Sequence, residues 1–462
     1  MPREKKNKRQ IQDFDFFYFI LNPIVSIYAR FHYRHVAIKG RDNLPTDGNY
    51  IIAPCHQNAL MEPLAILYMM RTRPVVYLAR ADIFQNPVAR FFLTFLKIMP
   101  VYRIRDGKSN LSKNNEIFDR SRDVLLSGTP LCLMAEGRHN DRHQLLPLVK
   151  GMFRIAAEAQ RAMGDKPLYI VPTGIDFDEY ERPYADLVVN IGKPIPVKQF
   201  MELMDENEAV ALNRMRDALA AGLLEMMHDI RSKTYYDQFY TMSNVLNKAV
   251  RKQEKLPCNA WGRFRARQII SRRLDAMENE QAAALPSMVG KADEYAAICR
   301  KYKLREKLVA ERWPWWRLLL TSAVVLAAVA LLCSCGTAGL HARYFALAWF
   351  LCQPLVYFPL HLIPRRTVKD PQFRSSVNYG IHFLAGRLLS LILTIVVGFV
   401  MGWWYALAFY VMTFVCARCA ASLLGTMRDL WENWRYRMLR LRHNAELQHL
   451  DDLQQEMANR CS

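Results

Sequence analysis

The chain has 462 residues, is 52% hydrophobic and carries a formal net charge of +20. Its length, and an apolar content concentrated in one half, exclude a single ordinary soluble domain. The charge suits phosphate-bearing partners, and the long apolar runs favour an anionic membrane surface over nucleic acid.

The ten cysteines form no paired framework, and Cys333, Cys335, Cys352, Cys416 and Cys419 fall in or beside apolar runs; a reducing, cytosolic face fits better than a disulfide scaffold. Residues 1–12 are basic but lack the apolar core and cleavage site of a signal peptide, so contact with anionic lipid is expected. Phe14 to Phe31 is aromatic-rich and interrupted by Asp15 and Asn22-Pro23. Its uninterrupted apolar length is short for a span, which leaves two readings, a broken interfacial or re-entrant element and a core helix.

Val36 to Lys39, the turn residues Asp42 to Asn49 and the apolar run Tyr50 to Pro54 read as strand, loop, strand. Pro63 to Met70 reads as a helix whose first residue is proline. Between them stand His56 and Glu62, six residues apart, which would lie on different faces of a continuous helix. They meet only if residues 57–61 form an irregular turn. A carboxylate at the helix entrance could then hold one imidazole nitrogen and leave the other to take a proton from an alcohol, as a general-base dyad. Spacing alone favours a plainer reading, a satisfied strand-end histidine and a favourable helix-start charge. Cys55, pointing away from His56 on an extended strand, reads as a packing residue rather than a nucleophile.

Alternation continues: Val75 to Ala79 a strand, Pro87 to Leu96 a helix, Val124 to Leu126 a helix end, Leu131 to Met134 and Tyr169 to Pro172 strands. The pattern predicts an α/β fold, a mixed sheet with flanking helices and reactive residues at strand ends. Arg103 and Arg105 share one face if their segment is extended, and their forks match a phosphate, although taken by themselves they favour an exposed basic edge strand. Leu131 to Met134 ends abruptly in Glu136, Gly137 and Arg138, where glycine lets the backbone approach a ligand. Pro147 to Ala156 reads as a loop entering a helix, a place where backbone amides and Lys150 could hold an anion.

Taken in order, these segments resemble the motifs of the PlsC-like glycerolipid acyltransferases, the glycerol-3-phosphate and 1-acylglycerol-3-phosphate acyltransferases. His56 to Glu62 is similar to the first motif in its longer-spaced variant, with Glu62 where the family has Asp. Arg103 matches the arginine of the second motif, with Arg105 a weaker candidate; Glu136-Gly137 matches the third, Ala135 replacing its proline and Arg138 a smaller residue; Tyr169-Ile170-Val171-Pro172 resembles the fourth. The resemblance implies that His56 and Glu62 are catalytic, that Arg103, Arg105, Glu136, Gly137 and Arg138 seat a glycerol-phosphate acceptor, with Lys150 added from the loop reading above, and that Pro172 shapes the acyl-donor side. It implies an acyl-CoA or acyl-carrier-protein thioester as co-substrate and no other cofactor, and no metal cluster is apparent in the sequence. The rival readings are another lipid acceptor, such as a lysolipid or amino-acid lipid, and a non-catalytic membrane scaffold.

Residues 200–310 turn charged and helical; the crowd Arg263, Arg265, Arg267, Arg272 and Arg273 lacks any nucleic-acid motif and reads as a solvated or membrane-facing basic helix. From Trp313 the composition becomes apolar: Leu318 to Cys335, Tyr344 to Ile363, and Leu388 to Ala417, the last a hairpin turning near Gly402-Trp403-Trp404. The layout expected is a basic, interfacial segment 1–35, an acyltransferase domain 36–240, a charged helical bridge 241–312, a region 313–425 of about four transmembrane helices, and an amphipathic helix 426–462. Basic flanks put the catalytic domain on the cytosolic side of an inner, cytoplasmic or equivalent membrane. The sequence leaves open whether the tail lies on the membrane or on the bridge helices, and what the oligomeric state is.

Overall fold

The computed structural model describes residues 10–71, 73–102, 113–138, 142–180, 184–333, 367–368, 371–415 and 417–461. They divide into two compact units, Met1–Arg30 with Val36–Phe177 and Leu187–Met227, and Phe31–His35 with Asp178–Asp186 and His228–Ser462.

The first unit is built on a sheet. In chain order its elements are α1 (Phe16–His32), β1 (His35–Lys39), β2 (Asn49–Pro54), α2 (Met61–Met70), β3 (Val76–Arg80), α3 (Pro87–Phe95), β4 (Ile98–Val101), α4 (Lys113–Leu126), β5 (Leu131–Cys132), α5 (Gly151–Met163), β6 (Leu168–Phe177), β7 (Asp186–Ile191) and β8 (Ile195–Pro196). The strand order is β1-β7-β6-β2-β5-β3-β4, with β8 also on β6. Strands β2 to β6 pair in parallel, while β7 and β8 run antiparallel to β6, so the sheet is mixed as predicted.

All six residues of β2 are buried. A parallel strand flanked by two others and covered on both faces needs a continuous apolar run, which Tyr50-Ile51-Ile52-Ala53 supplies. From β2 the chain crosses through α2 to β3, on the far side of β5; from β5 it crosses through α5 to β6, on the far side of β2. Right-handed crossovers in opposite directions put α2 and α5 on opposite faces. The loops leaving β2 and β5 therefore diverge at the carboxyl edge and open a crevice there.

Three local expectations are corrected. Helix α2 begins at Met61, not Pro63; proline at the third position costs nothing because first-turn N–H groups lack intrahelical acceptors. Strand β5 stops at Cys132. The aromatic N-terminal stretch is one helix running unbroken through Pro23, with Asp15 standing outside as its cap, accepting from the Tyr18 N–H at 2.9 Å.

The second unit is helical: Tyr236–Val245, Asn247–Gln253, Ala260–Asn279, Leu285–Lys301, Glu306–Ala310, Trp315–Cys333, Pro371–Met401, Trp403–Val415, Ala417–Arg442 and Asn444–Arg460. Phe239, Met242, Ile270, Met288, Tyr295, Tyr436, Leu450 and Met457 share its core, so the C-terminal helix packs on the bridge helices. Lys301–Glu446 at 2.7 Å and His449–Glu294 at 2.8 Å fix it along Leu285–Lys301. The arginine crowd is only in part a solvated basic face: Arg272 is exposed, but two others turn inward. Arg267 is buried and donates to Asp178 at 2.8 Å, and Arg263 pairs with Asp186. Those acids lie 89 and 77 residues upstream, beyond the reach of any local charge pattern.

Among the described residues one helix, Phe373–Met401, is long and apolar enough to cross a membrane; Trp315–Ala327 is apolar but shorter, and the expected run Tyr344 to Ile363 lies outside the described residues. The expected hairpin does turn at Gly402, whose φ of +102° suits glycine, and Arg387 donates to the Thr413 carbonyl at 3.3 Å across it.

Candidate active site

Strand β2 delivers the chain to the crevice at Cys55, whose N–H donates to the Thr173 carbonyl of β6 at 3.1 Å. Its thiol is buried against the Ile175 backbone, with Sγ 3.3 Å from the carbonyl and 3.1 Å from the N–H, and burial pushes the thiol's pKa well up. Such a group packs; it does not attack.

The next five residues, His56 to Leu60, form the irregular turn that the spacing demands. The Met61 N–H closes it on the Asn58 carbonyl at 2.9 Å, with Ala59 at a positive φ of 44°. Glu62, in the first turn of α2, is fully buried. One carboxylate oxygen accepts from the Gln57 N–H at 2.8 Å and from the Asn58 N–H; the other lies 3.3 Å from His56 Nδ1. The helix start favours that negative charge. Since Nδ1 faces the acid, Nε2 faces away from it, on a side chain that keeps 16% of its surface open.

Glu136 comes to the same place from β5. One oxygen accepts from the His56 N–H at 2.8 Å and the other from the Leu146 N–H at 2.9 Å. The sequence had Glu136 as an acceptor ligand; here it is buried and braces the backbone that carries His56. Burial raises its pKa from 4.5 to about 7, against the opposing pull of the Leu146 and His56 amides. A carboxyl raised on folding adds stability that is complete below its unfolded value and is lost as pH rises through about 7. Thermal midpoints of the intact protein should fall between about pH 5 and pH 8, by the equivalent of about 3 kcal/mol, and Glu136→Gln should flatten that slope.

Gly137 has a φ of +66°, and a Cβ there would stand 3.2 Å from Val149 Cγ1. Gly137→Ala is expected to cost about 1–2 kcal/mol in denaturant unfolding, from backbone strain and crowding together. Arg138 is exposed beside it, and the Val149 N–H bonds the Ala135 carbonyl at 2.8 Å, which brings exposed Lys150 to the start of α5 next to this loop. Pro172 is buried in β6 opposite Ala53, its ring against Gly222. Arg103 and Arg105 lie outside the described residues. One pair had no signal in the sequence: His143 Nδ1 and Asp176 Oδ1, both buried, 3.6 Å apart and 33 positions distant.

His56, Glu62, Glu136 and Gly137 are thus brought to one crevice from two neighbouring strands. An imidazole held on one side by a buried acid can act as a general base toward a hydroxyl presented to its other nitrogen.

The segment that carries this crevice is similar to known proteins. Residues 35–176 match the family model described as Acyltransferase. No curated protein matches the chain. Among solved structures, the 1-acyl-sn-glycerophosphate acyltransferase PlsC from Thermotoga maritima is similar at 19% identity over 44% of this chain and 80% of that one, with a TM-score of 0.30. The matched segment begins at β1, ends in β6 and holds His56, Glu62 and Glu136. Within this chain, residues 35–176 are the part that the Acyltransferase family model describes.

Proposed function

We propose that the protein is a membrane-bound O-acyltransferase that moves a fatty acyl group from a thioester, of coenzyme A or an acyl-carrier protein, to a hydroxyl of glycerol-3-phosphate or 1-acyl-glycerol-3-phosphate. The observation that carries the reading is His56 Nδ1 set 3.3 Å from a fully buried Glu62 at the carboxyl end of a central strand. His56 Nε2 takes the hydroxyl proton as that oxygen attacks the thioester carbonyl. The tetrahedral intermediate collapses, the thiolate leaves, and the imidazolium returns the proton to it. Glu62 holds the ring and steadies the imidazolium, and backbone amides stabilise the oxyanion. Arg103, Arg105, Arg138, Lys150 and the Gly137 loop seat the acceptor's phosphate; Pro172 backs the donor side from beneath. No covalent acyl-enzyme is required.

The basic flanks of the apolar helices support a cytosol-facing catalytic domain. Labelled acyl-CoA offered with glycerol-3-phosphate, with 1-acyl-glycerol-3-phosphate and with acceptors lacking phosphate tests the reading. Label is expected in a phosphate-bearing ester. Transfer confined to acceptors without phosphate overturns the choice of acceptor, and no transfer to any of them overturns the enzymatic reading.

A further inference from the structure

Given the acceptor proposed above, we propose that His143 and Asp176 are positioning residues for it: together they draw residues 142–146 across the end of β2, above His56, and so fix where Arg142 meets the acceptor's phosphate. Of the described residues 137–147 only His143 is buried, while Leu145 and Leu146 are half-buried. The hydrophobic effect alone would turn a leucine inward there, so it is the polarity of position 143 that is put to use.

His143 reaches the far side of β2. Its Nδ1 lies 3.6 Å from Asp176 Oδ1, within ion-pair range and too long for a hydrogen bond, with both side chains buried. Asp176 belongs to β6 and comes three residues after Thr173, whose carbonyl takes the Cys55 N–H, so it stands about 10 Å beyond the end of β2. Leu146 is held on the opposite side, where its N–H donates to Glu136 just past β5. Strand β2 lies between β6 and β5. Two strand spacings make about 10 Å, a distance that the three-residue step from His143 to Leu146 can cover. The Cys55 thiol, at that strand end, is pushed up by burial first and then by the carboxylates of Glu136, Glu62 and Asp176, which stand around it.

A buried ion pair adds little net stability over apolar side chains of the same volume, and its best-attested use is to fix a register. Here the register is that of a stretch already tied to the general base. Glu136 accepts from the His56 N–H through one oxygen and from the Leu146 N–H through the other, so base and bridging stretch share one anchor, and Asp176 supplies the second. Arg142, exposed, stands immediately before His143, and exposed Arg138 follows Gly137. Loss of the second anchor lets Arg142 shift relative to His56. That changes how a phosphate is held, while the contact of Glu62 with the imidazole is untouched. The KM for the acceptor is therefore the quantity that the pair controls.

The test uses the full chain with His143→Leu/Asp176→Leu, which removes both charges and leaves neither buried alone. Amide exchange at residues 144–149 should rise about tenfold or more, while that of β2 and α2 stays at the wild-type level. The KM for glycerol-3-phosphate or its 1-acyl form should rise about tenfold, with kcat and the KM for acyl-CoA within about twofold of the wild type. Asp176→Asn, which keeps the shape of the side chain, covers a double variant that fails to fold; it should raise the same KM by a similar factor, because partners acting as a unit are not additive. Unchanged exchange at 144–149 or an unchanged acceptor KM overturns the proposal. So does exchange that rises throughout the domain with a lower unfolding midpoint, the mark of a core pair. Each of these leaves the proposed reaction standing, whereas a wild type that transfers to no phosphate-bearing acceptor overturns that reaction and the pair's role with it.

Discussion

His56→Ala is expected to lower acyl transfer by about 10²- to 10⁴-fold, the range lost when a positioned general base is removed. The side chain touches Glu62 and the crevice but contributes little to the core, and its backbone N–H still meets Glu136 in the variant. Expression, membrane association and unfolding midpoint should therefore stay close to those of the wild type. Turnover of labelled acyl-CoA measured beside those three controls separates lost chemistry from lost structure. A variant that transfers at the original rate would place the reaction elsewhere, or leave the chain a scaffold.

Glu62 should be costly in two separable ways. In Glu62→Ala the N–H groups of Gln57 and Asn58 lose their shared acceptor while buried, which should cost about 2–4 kcal/mol, and the ring loses its anchor. Glu62→Gln retains an oxygen for those amides but offers no charge to an imidazolium, so it should remain nearly as stable and still lose about 10²- to 10³-fold in kcat. Glu62→Asp shortens the arm by one methylene and cannot meet the turn and the ring together; partial activity is expected. If Glu62→Gln turned over normally, the acid would be a helix-start residue only, which is the plainer reading of the spacing.

The parts of the fold that could be read from the sequence were those whose cause is local. The apolar runs at Tyr50 to Pro54 and Tyr169 to Pro172 announce buried strands because burial on both faces demands them, and Pro63 announces a helix start because its ring fits only the first turn. The turn between His56 and Glu62 followed from the same reasoning, since a six-residue separation has no helical solution. What escaped depended on distant chain. Whether Glu136 faces a ligand or turns inward is decided by the amides it finds, one of them 80 residues upstream. Arg263 and Arg267 looked like a solvated face because their acids are supplied by a loop and strand far earlier in the chain. Strand β7, Asp186–Ile191, went unnoticed as a strand: its antiparallel place beside β6 is a property of the assembled sheet, not of its six residues.

The bond from His56 to Glu136 also bears on how the domain is made. The imidazole and its acid emerge from the ribosome early, but the carboxylate that steadies their backbone arrives only with β5, and the helix packed on the opposite face later still. Pairings between parallel strands this far apart form slowly, because a long stretch of chain must be closed before any contact rewards it. A nascent fragment ending before residue 136 holds both members of the dyad and the turn that joins them, but not the carboxylate that braces the His56 backbone, so full competence is expected to come late in synthesis. Until then the apolar central strand lacks its partners, and surface of that kind makes a partly folded chain prone to aggregate.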